Sequence, residues 1–171
     1  AGWGDVMTRL IHEPPYPLWY YNLDITTLTG IELQTLEKTI GLMVDDVGWN
    51  FANQAQTPVD EAQLASIFAA LEQPSQALVE YRVSDLVQYG LDEPSLSLFL
   101  QTKYRREDGI YVTAETLFRI GNPTEDGTGY YAQAILDEEF HDVFMVNADW
   151  VEGLLGIVSN PPYLGDVAQG S

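Results

Sequence analysis

The amino-acid sequence predicts an α+β domain, in which two main helices cover an antiparallel β-sheet built as one sheet or as two. Short segments that alternate apolar and polar residues between turn residues predict the strands. Two segments with an apolar period near 3.6 residues, 58–73 and 148–158, predict the helices. A chain of 171 residues suits one domain with its own core. We expect an irregular N-terminal segment over 1–24, the domain over 25–158 and a C-terminal tail over 159–171.

The N-terminal half is predicted to begin with a three-stranded antiparallel meander. Aromatic and β-forming residues over 18–26 indicate a strand before it. Residues 30–36 alternate apolar and polar, and the segments 39–44 and 49–51 follow after the turns that Glu37-Lys38 and Asp45-Asp46 predict.

The first predicted helix supplies the apolar stripe that should cover this sheet. Thr57 is a candidate N-cap and Pro58 a candidate first helical residue, because a proline pre-sets the helical φ there. Pro74 should end the helix. The stripe consists of residues spaced i, i+3, i+4 and i+7, namely Leu64, Ile67, Phe68 and Leu71.

The C-terminal half predicts further strands and the second helix. A strand over 77–83 should lead to a short helical segment that Ser84 caps and Gly90 ends. Asp108-Gly109 predicts a hairpin turn, and Gly121-Asn122-Pro123 predicts a strand break. Asn147 is the expected N-cap of the second helix, which carries an apolar face. The strands of the two predicted hairpins are 95–104 with 110–120, and 130–136 with 143–146.

The charge of the chain excludes whole classes of function. Its formal net charge is −19, from 7 basic and 26 acidic residues, so it should repel nucleic acid. Lys103, Arg105 and Arg106 lie together, but Glu107 and Asp108 follow them, and we interpret this cluster as a solvated hairpin end. The chain has no cysteine, which rules out thiol catalysis and thiolate metal sites.

Membrane and targeting signals are sparse. No apolar run approaches the roughly 20 residues that a spanning helix needs, and no secretory signal segment is recognisable. The chain begins with Ala1-Gly2 rather than with methionine, which is typical of a processed or truncated product. We therefore expect no direct insertion of this chain into a membrane, and any anchor would lie upstream of Ala1.

Few residues are candidates for chemistry. The acidic loop 137–142 offers Asp137, Glu138, Glu139 and Asp142 as weak calcium ligands, but the spacing lacks the glycine of an EF-hand and hairpin loops are often acidic, so we favour a solvated loop. Only His12 and His141 are histidines, so a three-histidine zinc site cannot form.

Two further motifs resemble binding sites by their letters. Gly127-Thr128-Gly129 precedes Tyr130-Tyr131-Ala132 and matches a dinucleotide-binding fingerprint, but the segment after it predicts a strand where that fingerprint needs a helix. Tyr130 and Tyr131 are candidates for a surface contact, because exposed aromatic rings are favoured in interfaces. No catalytic arrangement of serine, base or paired carboxylates can be recognised, so we predict no catalytic residue, no cofactor and no enzyme activity.

The chain resembles the domain of unknown function family 4340 (DUF4340) over about residues 25–158. The strongest signal is Tyr89-Gly90-Leu91-Asp92-Glu93-Pro94, followed by Ile120-Gly121-Asn122-Pro123-Thr124 and Tyr130-Tyr131. The other matching segments are Thr29-Gly30-Ile31-Glu32-Leu33, Gly48-Trp49, the helix 60–71, Val83-Ser84-Asp85-Leu86, Phe118-Arg119 before Ile120, Gly129 and Ala132 around the tyrosine pair, and Val143-Phe144-Met145-Val146 leading to Trp150.

The resemblance implies an uncharacterised bacterial domain outside the cytoplasm, at the cell surface or in the periplasm. Such domains stand behind an N-terminal membrane anchor and are often associated with ABC-type transport systems, so a transporter component is an expected partner. The family provides no catalytic residues to transfer. We expect a non-enzymatic accessory or binding module that contacts a protein or a ligand. The alternative is a carbohydrate-active enzyme or glycan-binding domain that uses acids beside Tyr130 and Tyr131.

Overall fold

One antiparallel sheet organises the protein. The computed structural model describes residues 21, 23–52, 57–72, 74–135 and 142–163. Its eight strands lie in the order β3-β2-β1-β5-β6-β7-β8-β4, and each neighbouring pair is antiparallel. The predicted α+β class is therefore confirmed, with one sheet rather than two. The strands are β1 (Leu28–Gln34), β2 (Thr39–Val44), β3 (Trp49–Phe51), β4 (Gln76–Glu80), β5 (Leu96–Arg105), β6 (Tyr111–Pro123), β7 (Gly129–Ile135) and β8 (Val143–Asn147).

The inner face of the sheet carries the main core. Leu33 of β1, Leu98 of β5 and Phe118 of β6 lie opposite one another and are buried. Because side chains alternate along a strand, the inner residues of β5 are every second one, Leu96, Leu98 and Leu100. Burying a large apolar side chain contributes about 1.5–3 kcal/mol, so this row is a main source of stability.

The predicted meander is confirmed as β1, β2 and β3. The turn before β3 is held by Asp45, whose Oδ1 accepts hydrogen bonds from the backbone N–H groups of Val47 and Gly48 at 2.7 and 3.1 Å. Gly48 has φ +145°, which a residue with a side chain rarely adopts. The segment before the meander differs from prediction, because Ile25–Thr27 form a 3₁₀ turn rather than the end of a strand.

Helix α1 (Glu61–Ala70) begins later than predicted. Its N-cap is Asp60, whose Oδ1 accepts from the Gln63 N–H at 2.9 Å, so the assignments of Thr57 as cap and Pro58 as first residue are wrong. Pro58 instead pairs with Asn50 in an isolated bridge beside β3. The helix ends before Leu71, ahead of the predicted stop at Pro74. The apolar stripe does face the core: Ile67 and Leu71 are buried, and Leu64 and Phe68 pack against them.

Helix α2 (Ala148–Ser159) follows β8 directly and lies on the same face. Its buried residues are Trp150, Val151, Leu154 and Val158. Asn147 occupies the N-cap position as predicted, but its side chain does not cap the helix; its Oδ1 accepts from the Ser75 N–H at 2.9 Å. Among the described residues, no helix is long and apolar enough to cross a membrane.

The boundaries of two strands and the start of one 3₁₀ turn differ from the predictions. β4 ends at Glu80 rather than Val83. β6 continues through Gly121-Asn122-Pro123, where a break was predicted, because a bulge between Ile120 and Pro123 absorbs the proline. Leu86, not Ser84, stands at the start of the 3₁₀ turn Val87–Tyr89, although Gly90 does end it, with φ +67°.

The connection from β4 to β5 crosses the face of the sheet opposite the helices, which we call the outer face. Val83 and Leu91 of the connection form a second small core with Val143 of β8, and Leu86, Tyr89 and Tyr131 pack against it. This connection covers the β7–β8 side of the outer face. Gly121 lies directly beneath it, so close that a Cβ there would stand 2.1 Å from the carbonyl oxygen of Tyr89.

Candidate binding surface

The two tyrosines that the sequence singled out do not form a joint platform. Tyr130 packs against the main core on the inner face, whereas Tyr131 packs into the second core on the outer face. The Tyr131 ring meets the Tyr89 ring edge-on at a centroid distance of 4.8 Å. Tyr130 and Tyr131 are both half-buried, and each ring packs on its own face of the sheet.

Tyr89 completes its contacts through its hydroxyl group. The hydroxyl donates a hydrogen bond to Glu80 Oε2 at 2.6 Å. This bond to a carboxylate raises the pKa of Tyr89 to about 12, because losing the proton would place two negative charges side by side. The pair fixes the connection to the end of β4.

The predicted calcium ligands fall mainly on residues 137–139, which lie outside the described residues. Asp142 is described, and it is buried. Its Oδ1 accepts from the backbone N–H of Arg82 at 2.9 Å, and Arg82 has φ +50°. Asp142 therefore holds the backbone of Arg82, which has a strained left-handed conformation. Over the described ranges, no group of three or more histidine or acidic side chains could hold a metal ion.

The glycine motif before Tyr130 is a hairpin turn, as its flanking sequence indicated. Gly127 has φ +70°, and Gly129 begins β7. Asp126 Oδ1 accepts from the hydroxyl of Thr124 and from the backbone N–H of Thr128, which lowers the pKa of this exposed carboxyl group. No helix follows the turn, so it lacks the helix N-terminus that a dinucleotide pyrophosphate requires.

The most distinctive surface lies on the outer face, beyond the β4–β5 connection. Phe99 of β5, Leu117 of β6 and Ile135 of β7 are directly opposite one another and form an apolar row across three strands. All three are half-buried, and none belongs to either core. Within the described part of the chain, no helix packs on this row. It is a partly exposed apolar strip at the middle of the sheet.

Arg119 stands next to this strip in the neighbouring row. It lies opposite Ser97 of β5 and Gln133 of β7, and it is half-buried. Among the described residues, no carboxylate comes within ion-pair distance of the Arg119 guanidinium group. The ion pair found among these residues joins Arg106 to Asp108 at 3.7 Å. An arginine beside an apolar strip, without an acidic partner of its own, can form strong bidentate hydrogen bonds to a carboxylate from outside.

The same face carries a second basic group toward the end of the β5–β6 hairpin. Lys103 Nζ lies 5.4 Å from the centre of the Tyr111 ring, and the Arg105 guanidinium lies 6.0 Å from it. Tyr111 is exposed over 64% of its surface, so this aromatic group is open to a partner. We call the surface from Arg119 through the apolar row to Lys103, Arg105 and Tyr111 the outer strip.

Sequence reasoning placed Lys103 and Arg105 correctly at a hairpin end but missed Arg119 and the apolar row. The signal was present in the alternation of β5 and β6, which assigns Phe99, Leu117 and Arg119 to the face opposite Leu98 and Phe118. That signal becomes useful only once the helices are known to cover the other face.

A concavity lies between the two helices, on the other side of the sheet from the outer strip. It has a volume of about 450 Å³, and its lining includes Ile67 and Ala70 of α1 and Gly153 and Gly156 of α2. The described residues that line it carry no charge.

Comparison with known proteins places the chain in a family. The family model described as domain of unknown function (DUF4340) matches residues 49–152, which is more than half of the chain. No curated protein and no solved structure matches it. The matched range includes the outer strip, the β4–β5 connection, all of α1 and the first five residues of α2.

Proposed function

The chain belongs to the DUF4340 family of domains of unknown function, and we propose from its geometry that it is a non-enzymatic accessory module that binds another protein. Its binding surface is the outer strip. Its place is outside the cytoplasm, tethered beside a membrane transport system. The membrane location and the transport partner rest on the sequence landmarks of the family alone.

The observation that carries the proposal is the half-buried Arg119 beside the apolar row of Phe99, Leu117 and Ile135. Protein interfaces concentrate aromatic residues and arginine around an apolar centre, and a few such residues supply most of the binding energy. A catalytic site would instead bring titratable groups together in a cleft. The outer strip is a sheet surface with this interface composition.

The alternative is a carbohydrate-active enzyme or glycan-binding domain that uses acids beside Tyr130 and Tyr131. These two tyrosines serve opposite faces of the sheet, so their rings cannot contact one glycan together. We retain the protein-binding module, because the outer strip combines an apolar row with an arginine that has no acidic partner among the described residues.

Photo-crosslinking in the native cell tests the proposal. A photoreactive phenylalanine analogue replaces Leu117 in the full-length protein, and a matched variant carries it at Ala62, which is exposed on α1. We expect a discrete protein adduct at position 117 and none at position 62. No adduct at position 117, or the same adduct at both positions, would contradict binding through the outer strip. Fractionation of the same cells shows whether the adduct lies at the membrane.

A further inference from the structure

The chemistry of the outer strip specifies what kind of partner fits it. Resting on the proposed function, we infer that the strip binds an extended, acidic segment of another protein, with a carboxylate on Arg119, an apolar side chain on the Phe99–Leu117–Ile135 row and a second carboxylate at Lys103 and Arg105. Each part of this ligand follows from a separate feature of the strip.

The first carboxylate follows from Arg119. Its guanidinium group is half-buried and, within the described ranges, has no acidic partner. Partial burial strengthens a charge-assisted bond, and the planar guanidinium matches a carboxylate in two parallel hydrogen bonds. A neutral or basic ligand would remove water from the Arg119 guanidinium group without giving it an anionic hydrogen-bond acceptor.

The extended shape follows from the spacing. Arg119 and Thr113, the residue opposite Lys103, lie six positions apart on β6, which corresponds to about 20 Å along the strand. A peptide in β conformation covers that length with about seven residues. An apolar side chain two positions from the first acid then falls on the row around Leu117, because Leu117 is two positions from Arg119.

The centre of the strip adds selectivity. Glu115 lies between the two basic groups and accepts a hydrogen bond from Gln101 Nε2 at 3.2 Å. An acid at the middle of the ligand would face Glu115 and be repelled, so the acids are expected at its ends. The chain as a whole has a large negative charge, so an acidic ligand is attracted only where basic groups such as Arg119, Lys103 and Arg105 outweigh the acids around them.

Peptide selection provides a test that needs no knowledge of the natural partner. A display library of random nine-residue peptides is selected on the domain, and the selected peptides are measured by fluorescence polarisation. We expect sequences with two acids about six positions apart and an apolar residue two positions from one of them. Arg119→Gln should weaken their binding at least tenfold, Leu117→Ser about tenfold and Lys103→Gln about threefold.

Lys38→Gln is the matched control, because Lys38 is exposed at the β1–β2 turn and its loss changes the net charge by the same amount as Arg119→Gln. It should change affinity less than twofold. Melting temperatures of all variants verify that they are folded. An unchanged affinity in a folded Arg119→Gln variant, or selected peptides without acids, would overturn the inference.

Two other outcomes would also overturn it. If the free domain self-associates in sedimentation experiments and Arg119→Gln restores the monomer, the occupant is a second copy of this chain. If an adduct forms at position 117 in cells while the selection yields no acidic peptide, the strip binds protein by another chemistry, and the proposed function alone survives.

Discussion

The close approach of the β4–β5 connection to β6 can be tested with one pair of glycine substitutions. A Cβ on Gly121 would lie 2.1 Å from the carbonyl oxygen of Tyr89 and 2.9 Å from the carbonyl carbon of Gly90. Both are backbone atoms, so no side-chain rotation can relieve the overlap. Gly121→Ala therefore requires the connection to lift from the sheet, which would open the second core of Val83, Leu91 and Val143.

The magnitude follows from what must move. Inserting one methyl group into a well-packed site costs about 1–3 kcal/mol, and exposing part of the second core adds to it. We expect Gly121→Ala to lower the free energy of unfolding by about 3 kcal/mol or more. Gly156→Ala is the same chemical change in helix α2, where a Cβ meets no atom within 4 Å. It should raise the free energy of unfolding by about 0.5–1 kcal/mol, because alanine is the better helix former.

Urea unfolding followed by tryptophan fluorescence measures both values. For a chain of this size, 1 kcal/mol shifts the melting temperature by about 2–4 °C, so the two variants should move it in opposite directions. A Gly121→Ala variant within 0.5 kcal/mol of the parent would refute the close packing of the connection on β6. A destabilised Gly156→Ala variant would refute the open surface between the helices.

Three further outcomes are expected. Leu71→Ala should cost about 2–5 kcal/mol of unfolding free energy, since Leu71 is fully buried, whereas Leu36→Ala at an exposed turn should stay within 0.5 kcal/mol in the same urea assay. The folded state raises the pKa of Tyr89 to about 12 from its ordinary value of 10.0. The stabilisation from its bond to Glu80 is therefore fully present below pH 10 and is lost as the pH rises toward 12. Tyr89→Phe should abolish that part of the alkaline loss of stability, and an unchanged stability-against-pH profile would contradict the hydrogen bond. Millimolar Ca²⁺ should leave the melting temperature unchanged if the acidic loop is solvated, and a rise of several degrees would establish a calcium site.

The elements with strong local signals could be predicted from the sequence. The alternation of Leu96, Leu98 and Leu100 and the apolar seam of Ile67 and Leu71 identified a sheet with helices on one face, and the structure confirms both. The errors lie where tertiary contacts override local preference. Thr57 loses the cap to Asp60 because Pro58 pairs with Asn50 of β3, a contact that no local pattern reveals.

The proline at the end of β6 shows the same limit. Gly121-Asn122-Pro123 has the composition of a strand break, yet the strand continues through it. The bulge leaves Pro123 opposite Tyr130, and Gly121 gives the backbone room to pass beneath Tyr89 and Gly90. The segment Gly121-Asn122-Pro123 therefore does not end the strand. Its glycine allows the β4–β5 connection to pack on the outer face of the sheet.

Alternation within β5 and β6 alone could not predict the outer strip, because which residues of the two strands share a face also depends on the register of the β5–β6 hairpin. A two-residue turn at Asp108-Gly109 would place Phe99 opposite Phe118 and Leu98 opposite Arg119, which mixes core residues with surface residues. The actual loop is longer: Arg106 N–H donates to the carbonyl oxygen of Ile110, and the Gly109 N–H donates to that of Arg106. This shift of one position pairs Leu98 with Phe118 in the core and leaves Phe99, Leu117 and Arg119 together outside. The loop conformation thus creates the core and the candidate binding surface at once, and a variant that forced the shorter turn would be expected to lose both.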